Sequence, residues 1–153
     1  MAAIIRKFKY SDIEKQLNTT GDRIRQAAIN TMSYVGEECV KTARNNGDYN
    51  DITGNLRSSI GYVVLQDGNV VKGSKFKRFQ GSEGNGSSGV KEGQALLEKL
   101  QGEYPKGIVL ILAAGMNYAA YVEEIHHRDV LTSAELLARD LVPRLLEQIG
   151  ISK

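Results

Sequence analysis

Two incompatible periodicities meet at Asp51-Ile52-Thr53-Gly54-Asn55-Leu56-Arg57-Ser58-Ser59-Ile60, and any fold must turn there. Upstream, Ile13, Leu17, Ile24, Ala28, Thr31, Val35, Cys39 and Thr42 keep the spacing of one helix face. Downstream, Ile60 to Leu65 has the look of a strand. Thr53-Gly54 supplies the turn, since glycine adopts backbone angles that a Cβ disfavours. Leu56, Ile60 and Val64 recur every four residues, but Leu56, Ser58, Ile60, Tyr62 and Val64 also alternate. Periodicity alone leaves Leu56–Ile60 open between a last helical turn and a first strand residue.

The upstream pattern predicts a long helix from about Asp12 to Arg44, with Ser11-Asp12 as its cap and Asn45-Asn46-Gly47 as its stop. Gly21 weakens it, and Asn18 to Asp22 also reads as a cap into a second helix. Residues Ala2 to Tyr10 form a leader, read as a short strand or an arm. Asp48 to Thr53 is a loop in which Tyr49 packs down onto the fold. Strands follow at about Ser58–Gln66 and Asn69–Gly73. Asp67-Gly68 between them favours a tight hairpin turn.

Residues 73–106 read as one excursion from the sheet. It opens on the basic run Lys72 to Arg78, in which Phe76 and Phe79 are interleaved. Gly81 to Gly89 is Gly/Ser-rich and too polar to order itself, so a mobile loop is expected. Val90 to Leu100 is a short helix, ended near Glu103-Tyr104-Pro105. Gly107 to Ala114 is a continuous apolar run, as in a strand covered on both faces. Tyr118 to Glu124 is read as a short helix. His126-His127-Arg128-Asp129 is read as an exposed polar loop. Thr132-Ser133-Ala134-Glu135 fits a capping box, and the last helix runs on to about Ile149 with a kink expected at Pro143.

These elements define one α+β domain over residues 1–153. A small, mostly antiparallel sheet packs against a long N-terminal helix and a C-terminal helix, with a flexible Gly/Ser-rich excursion. A chain of 153 residues buries about 70% of its unfolded surface, so its core needs no staple. The net charge of +2 does not by itself argue for a nucleic-acid partner. Cys39 is the only cysteine and falls on the apolar stripe, which makes it an inert buried thiol. Met1 to Ile5 is too short for a signal, and the uncharged run Gly107–Val122 is shorter than the ~20 apolar residues of a membrane span.

The chemical motifs are weak. Gly84-Asn85-Gly86-Ser87-Ser88-Gly89 matches G-x-G-x-x-G and precedes a helix. In a dinucleotide site such a motif follows a buried strand, whereas here it follows Lys75 to Gln80. His126 and His127 have no partner at a zinc spacing. Glu37-Glu38 and Glu123-Glu124 read as solvated charges. No residue is assigned to catalysis, to a cofactor or to a metal, and no cofactor is expected. Lys72–Arg78 offers an alternative as a small nucleic-acid-binding module, its aromatics stacking on bases. The Gly-rich loop offers a second alternative as a nucleotide site.

The order of motifs carries a resemblance. A helix, then Asp51-x-Thr53-Gly54-x-Leu56-Arg57-x-Ser59-Ile60, a hairpin, Tyr118-x-x-Tyr121-Val122-Glu123 and a C-terminal helix together resemble the phage neck and tail-completion protein family of lambda-like long-tailed phages and prophages. The likeness spans most of the chain. It departs after Glu123, where the family has Gly-Thr and Pro-Phe-Leu and this chain has Glu124-Ile125-His126-His127 and Val130-Leu131-Thr132. The resemblance implies a non-enzymatic head–tail joining or tail-completion component that assembles as a ring with copies of itself and with other neck or tail proteins. It implies no membrane partner, and a place in the host cytoplasm during assembly and then in the virion.

Overall fold

The computed structural model describes residues 9–47 and 49–151. Most of the expected leader, and Asp48 at the start of the expected loop, lie outside the described residues. Helix α1 spans Tyr10–Asn46, 37 residues and about 55 Å long. It begins earlier than expected. Lys9 is its N-cap residue with no side-chain cap, so Ser11-Asp12 is not the cap. Asp12 instead sits in the first turn, where the helix dipole favours an acid.

No second helix starts near Asn18–Asp22. The polar side chains there bond within the helix: Thr19 Oγ1 donates to Lys15 O at 2.8 Å, and Arg25 pairs with Asp22 at 2.5 Å. The stop falls at Asn46, with a different geometry from that expected. Gly47 is extended (φ −61°, ψ 127°) rather than left-handed. The Tyr49 ring occupies the space a side chain at 47 would need, and Tyr49 Oη donates to Ala43 O at 3.1 Å, satisfying a carbonyl of the last turn.

The pivot resolves toward helix. Asn55–Ser58 is a single turn, α2, and strand β1 begins only at Ile60 and ends at Gln66. Strand β2 covers Asn69–Gly73. Asp67 and Gly68 both have positive φ, as a two-residue hairpin turn requires. Helix α3 is Ser87–Gln101, starting three residues before the expected Val90. Strand β3 is Ile108–Ala114, α4 is Ala119–Glu124 and α5 is Thr132–Gln148, which continues through Pro143.

The sheet order is β2-β1-β3, and both pairings are antiparallel. β1 is therefore the central strand, and β2 and β3 flank it in parallel, joined through α3. A register shift between Val64 and Leu65 marks a bulge opposite β2, and all five β2 residues are exposed. The sheet separates two apolar layers. Ile60, Tyr62 and Val64 of β1, with Leu110 and Leu112 of β3, face α1 and α5. Leu65, Val109 and Ile111 face Leu96, Leu97 and Leu100 of α3. The expectation of a strand covered on both faces is met at β3. The excursion is what provides the second cover.

The Gly/Ser-rich stretch does not order itself; the pivot holds it. Glu83 N donates to Ile52 O at 2.9 Å and Gly86 N to Thr53 O at 3.1 Å. A Cβ at Gly54 would land on Phe79 O, and one at Gly81, Gly84 or Gly89 would meet backbone of Ile52, Thr53 or Asn55. Gly54 also has φ +72°, so a side chain there meets both strain and a clash. Gly54→Val should destabilise the fold by about 3 kcal/mol or more, read as a lowered denaturation midpoint. Gly21, with nothing within 4 Å of its Cβ position, sets the opposite sign: Gly21→Ala should slow amide exchange in α1 by roughly fivefold, the effect of about 1 kcal/mol of helix propensity.

Candidate functional site

A cleft of about 470 Å³ lies where the pivot meets α4. Tyr49, Thr53 and Leu56 line one side, and Tyr118, Val122 and His126 the other, with Arg128 at the rim. The two segments that carry the family resemblance thus share one cleft, although they are far apart in sequence.

Each wall is built by local polar bonds. Asp51 accepts from Leu56 N at 3.2 Å through one carboxylate oxygen and from Arg57 N at 2.8 Å through the other. It therefore caps α2, satisfying amides that a one-turn helix leaves unpaired. Thr53 Oγ1 accepts from Asn55 N at 3.3 Å. The Tyr118 hydroxyl is pushed above its ordinary range by burial and by the nearby Asp51, against the opposing effect of a hydrogen bond with Thr53. Tyr118 and Thr53 thus face each other across the cleft. His126 packs edge-on against Tyr121, with ring centroids 5.0 Å apart. The His126–Asp129 loop is exposed to half-exposed, in keeping with its sequence.

Glu123, expected as a solvated charge, is a helix cap. Its Oε1 accepts from Leu131 N at 3.0 Å, Thr132 N at 2.8 Å and Thr132 Oγ1 at 2.5 Å. Burial alone would raise its pKa, but these bonds outweigh burial and hold it below the usual carboxylate range. The capping box expected at Thr132–Glu135 is therefore not formed. Asp129 binds the amide and hydroxyl of Ser133, and Glu135 pairs with Arg139 one turn on. Two acids from before α5 supply its cap, because they reach the first-turn amides and Glu135, turned along the helix, does not.

The other singled-out residues are placed as follows. Cys39 is 1% exposed, its Sγ donates to Ala134 O at 3.3 Å, and burial followed by Glu38 raises its pKa, all marks of an unreactive thiol. Glu37 is exposed and accepts from Tyr62 Oη at 2.9 Å. Lys72, Lys75, Lys77 and Arg78 are exposed, but the two phenyl rings are not available for base stacking. Phe76 packs into the layer under α3, and Phe79 lies under the Arg44 guanidinium at 5.2 Å. At the Gly-rich loop, first-turn amides of α3 are already taken: Ser87 N donates to Asn85 Oδ1 and Gly89 N to Asn55 Oδ1, both at 3.1 Å. The glycines admit the pivot's backbone rather than a phosphate. Among the described residues no three His, Cys, Asp or Glu side chains gather into a metal-binding group.

Sequence reasoning missed Arg44. It is 9% exposed, donates from Nη2 to Ile60 O at 2.6 Å, and leaves Nε without a protein partner. Burial lowers its pKa, offset by Glu37 and Tyr49. A signal existed, because Arg44 follows Val40 by four residues on the buried face of α1.

Comparison with family models, with curated proteins and with solved structures finds no match to the chain. Among the described residues no helix is long and apolar enough to cross a membrane.

The cap at Glu123 makes a pH prediction. Its folded pKa is depressed, so its stabilisation is present above the ordinary carboxylate range and fades as pH falls through the folded value. Glu123→Gln should cost about 1 kcal/mol near neutral pH. The gap between variant and parent should close in acid, measured by thermal unfolding across pH.

Proposed function

We propose that the chain is a non-enzymatic structural component of a phage or prophage particle, acting at the head–tail junction or in tail completion by packing between neighbouring subunits. The observation that carries this reading is the convergence of the two resembling segments, 51–60 and 118–123, on one cleft. The walls of that cleft are used to hold structure. Both Asp51 oxygens are engaged by amides, and Thr53 Oγ1 accepts from Asn55 N. A cleft with an apolar floor at Leu56 and Val122 and a polar rim suits a protruding side chain of a neighbouring subunit.

The two alternatives have less behind them. A nucleic-acid module would have its cations at Lys72–Arg78 but would lack free stacking rings. A nucleotide site would need amides that Asn85 and Asn55 already occupy.

The test is assembly in the native setting. The gene should lie among those for portal, capsid and tail-tube proteins, and the purified chain mixed with those products should form closed rings visible by electron microscopy. Val122→Glu, on the half-buried floor of the cleft, should abolish ring formation while thermal unfolding shows a folded chain. A chain encoded away from virion genes, or particles that assemble normally without it, would overturn the reading.

A further inference from the structure

The first half of α1 stands clear of the body. Buried positions on α1 begin at Ala28, and every residue from Tyr10 to Thr20 is exposed. This half is nevertheless not polar all round. Ile13, Leu17 and Ile24 are 44%, 68% and 43% exposed, and their spacing puts them on one face with Thr20 between them. Most helical stability in proteins comes from packing of an apolar face, and on this half of α1 that face is bare.

The charges beside that face select what covers it. At 100° per residue, Asp12 and Arg23 fall on one flank of the stripe, and Glu14 and Arg25 on the other. On each flank the acid is N-terminal and the arginine C-terminal. Laid against a copy of itself end to end in reverse, the segment sets Ile13 opposite Ile24 and Leu17 opposite Thr20. Asp12 then lies beside Arg23 of the second copy, and Glu14 beside Arg25. A parallel pair would set acid on acid and arginine on arginine, which is destabilising. Gly21 lies at the stripe's margin near the centre of the reversed pair and adds no bulk there. The Arg25–Asp22 pair is solvent-exposed on both sides, so exchanging it costs little.

We propose that residues 10–27 of α1 are a self-association surface, forming an antiparallel helix pair with the same segment of a second copy of this chain. The contact is isologous and closes at two copies. It does not rest on the virion reading. One pair of short helical segments makes a small contact, so the expected dimer is weak and concentration-dependent.

Sedimentation of the full chain across a concentration series tests it. The parent should pass from monomer to dimer. Leu17→Glu, on an exposed position and with a good helix former, should weaken the dimer by about tenfold or more with unchanged thermal unfolding. Orientation is read by mild oxidation. A mixture of Ile13→Cys and Ile24→Cys chains should cross-link, and Ile13→Cys alone should not, with the buried native Cys39 silent. A chain monomeric throughout, a dimer indifferent to Leu17→Glu, or efficient cross-linking of Ile13→Cys to itself would each overturn the proposal.

Discussion

Backbone lies directly on backbone where residues 52–55 meet residues 79–89, and the arrangement of every other layer follows from that approach. Of two buried serines beside it, Ser58 stitches this contact and Ser59 ties the pivot to the residues after β3. Ser58 Oγ donates to Gly54 O at 2.6 Å and accepts from Phe79 N at 2.7 Å. Ser59 Oγ donates to Leu56 O at 2.7 Å and accepts from Met116 N at 3.3 Å. Each hydroxyl thus closes the α2 turn and grips a remote segment at once. Both side chains are fully buried, so either would be costly to leave half-bonded. The pivot is thereby pinned to the start of the excursion, and Asn55 Oδ1 accepting from Gly89 N carries the contact into α3, which lies over the second face of the sheet.

Arg44 extends the same logic to the first layer. It joins α1 to β1 through Ile60 O and to the excursion through the Phe79 ring. A guanidinium keeps its charge in such a place, and the aromatic face returns part of the lost hydration. Arg57 over the Tyr49 ring, at 5.9 Å, repeats the device on the other side of the pivot. The core is therefore framed by two arginine–aromatic contacts rather than by apolar packing alone.

The fold class was legible because it depends on period and punctuation. The long helix, the Asp67-Gly68 hairpin, the apolar run of β3 and the last helix each announce themselves within a short window. What was not legible is where remote segments touch. The glycines from Gly81 to Gly89 have the composition of a linker, and only the proximity of Ile52, Thr53 and Asn55 shows that they are there for close approach. The α5 cap has the same cause: Glu123 and Asp129 act from before the helix, so the pattern inside it, Thr132 to Glu135, pointed to the wrong acid. The cleft was half legible, since the segments forming it were singled out by resemblance, but their meeting is a tertiary fact.

The strand order has a consequence for biosynthesis. β1 is complete early in the chain, when the α1 that covers its Ile60–Tyr62–Val64 face already exists, but it still needs β3 along one side and α3 over its second face. At about 5–20 residues per second, the nascent chain holds Val63 and Leu65 without these later neighbours for several seconds. During that interval the hairpin with β2 is the one strand pairing within reach, and it covers neither apolar face. The ribosome-bound intermediate is thus a helix lying on a two-stranded ribbon whose second broad face is bare, a species that calls for a holding chaperone or a quick finish.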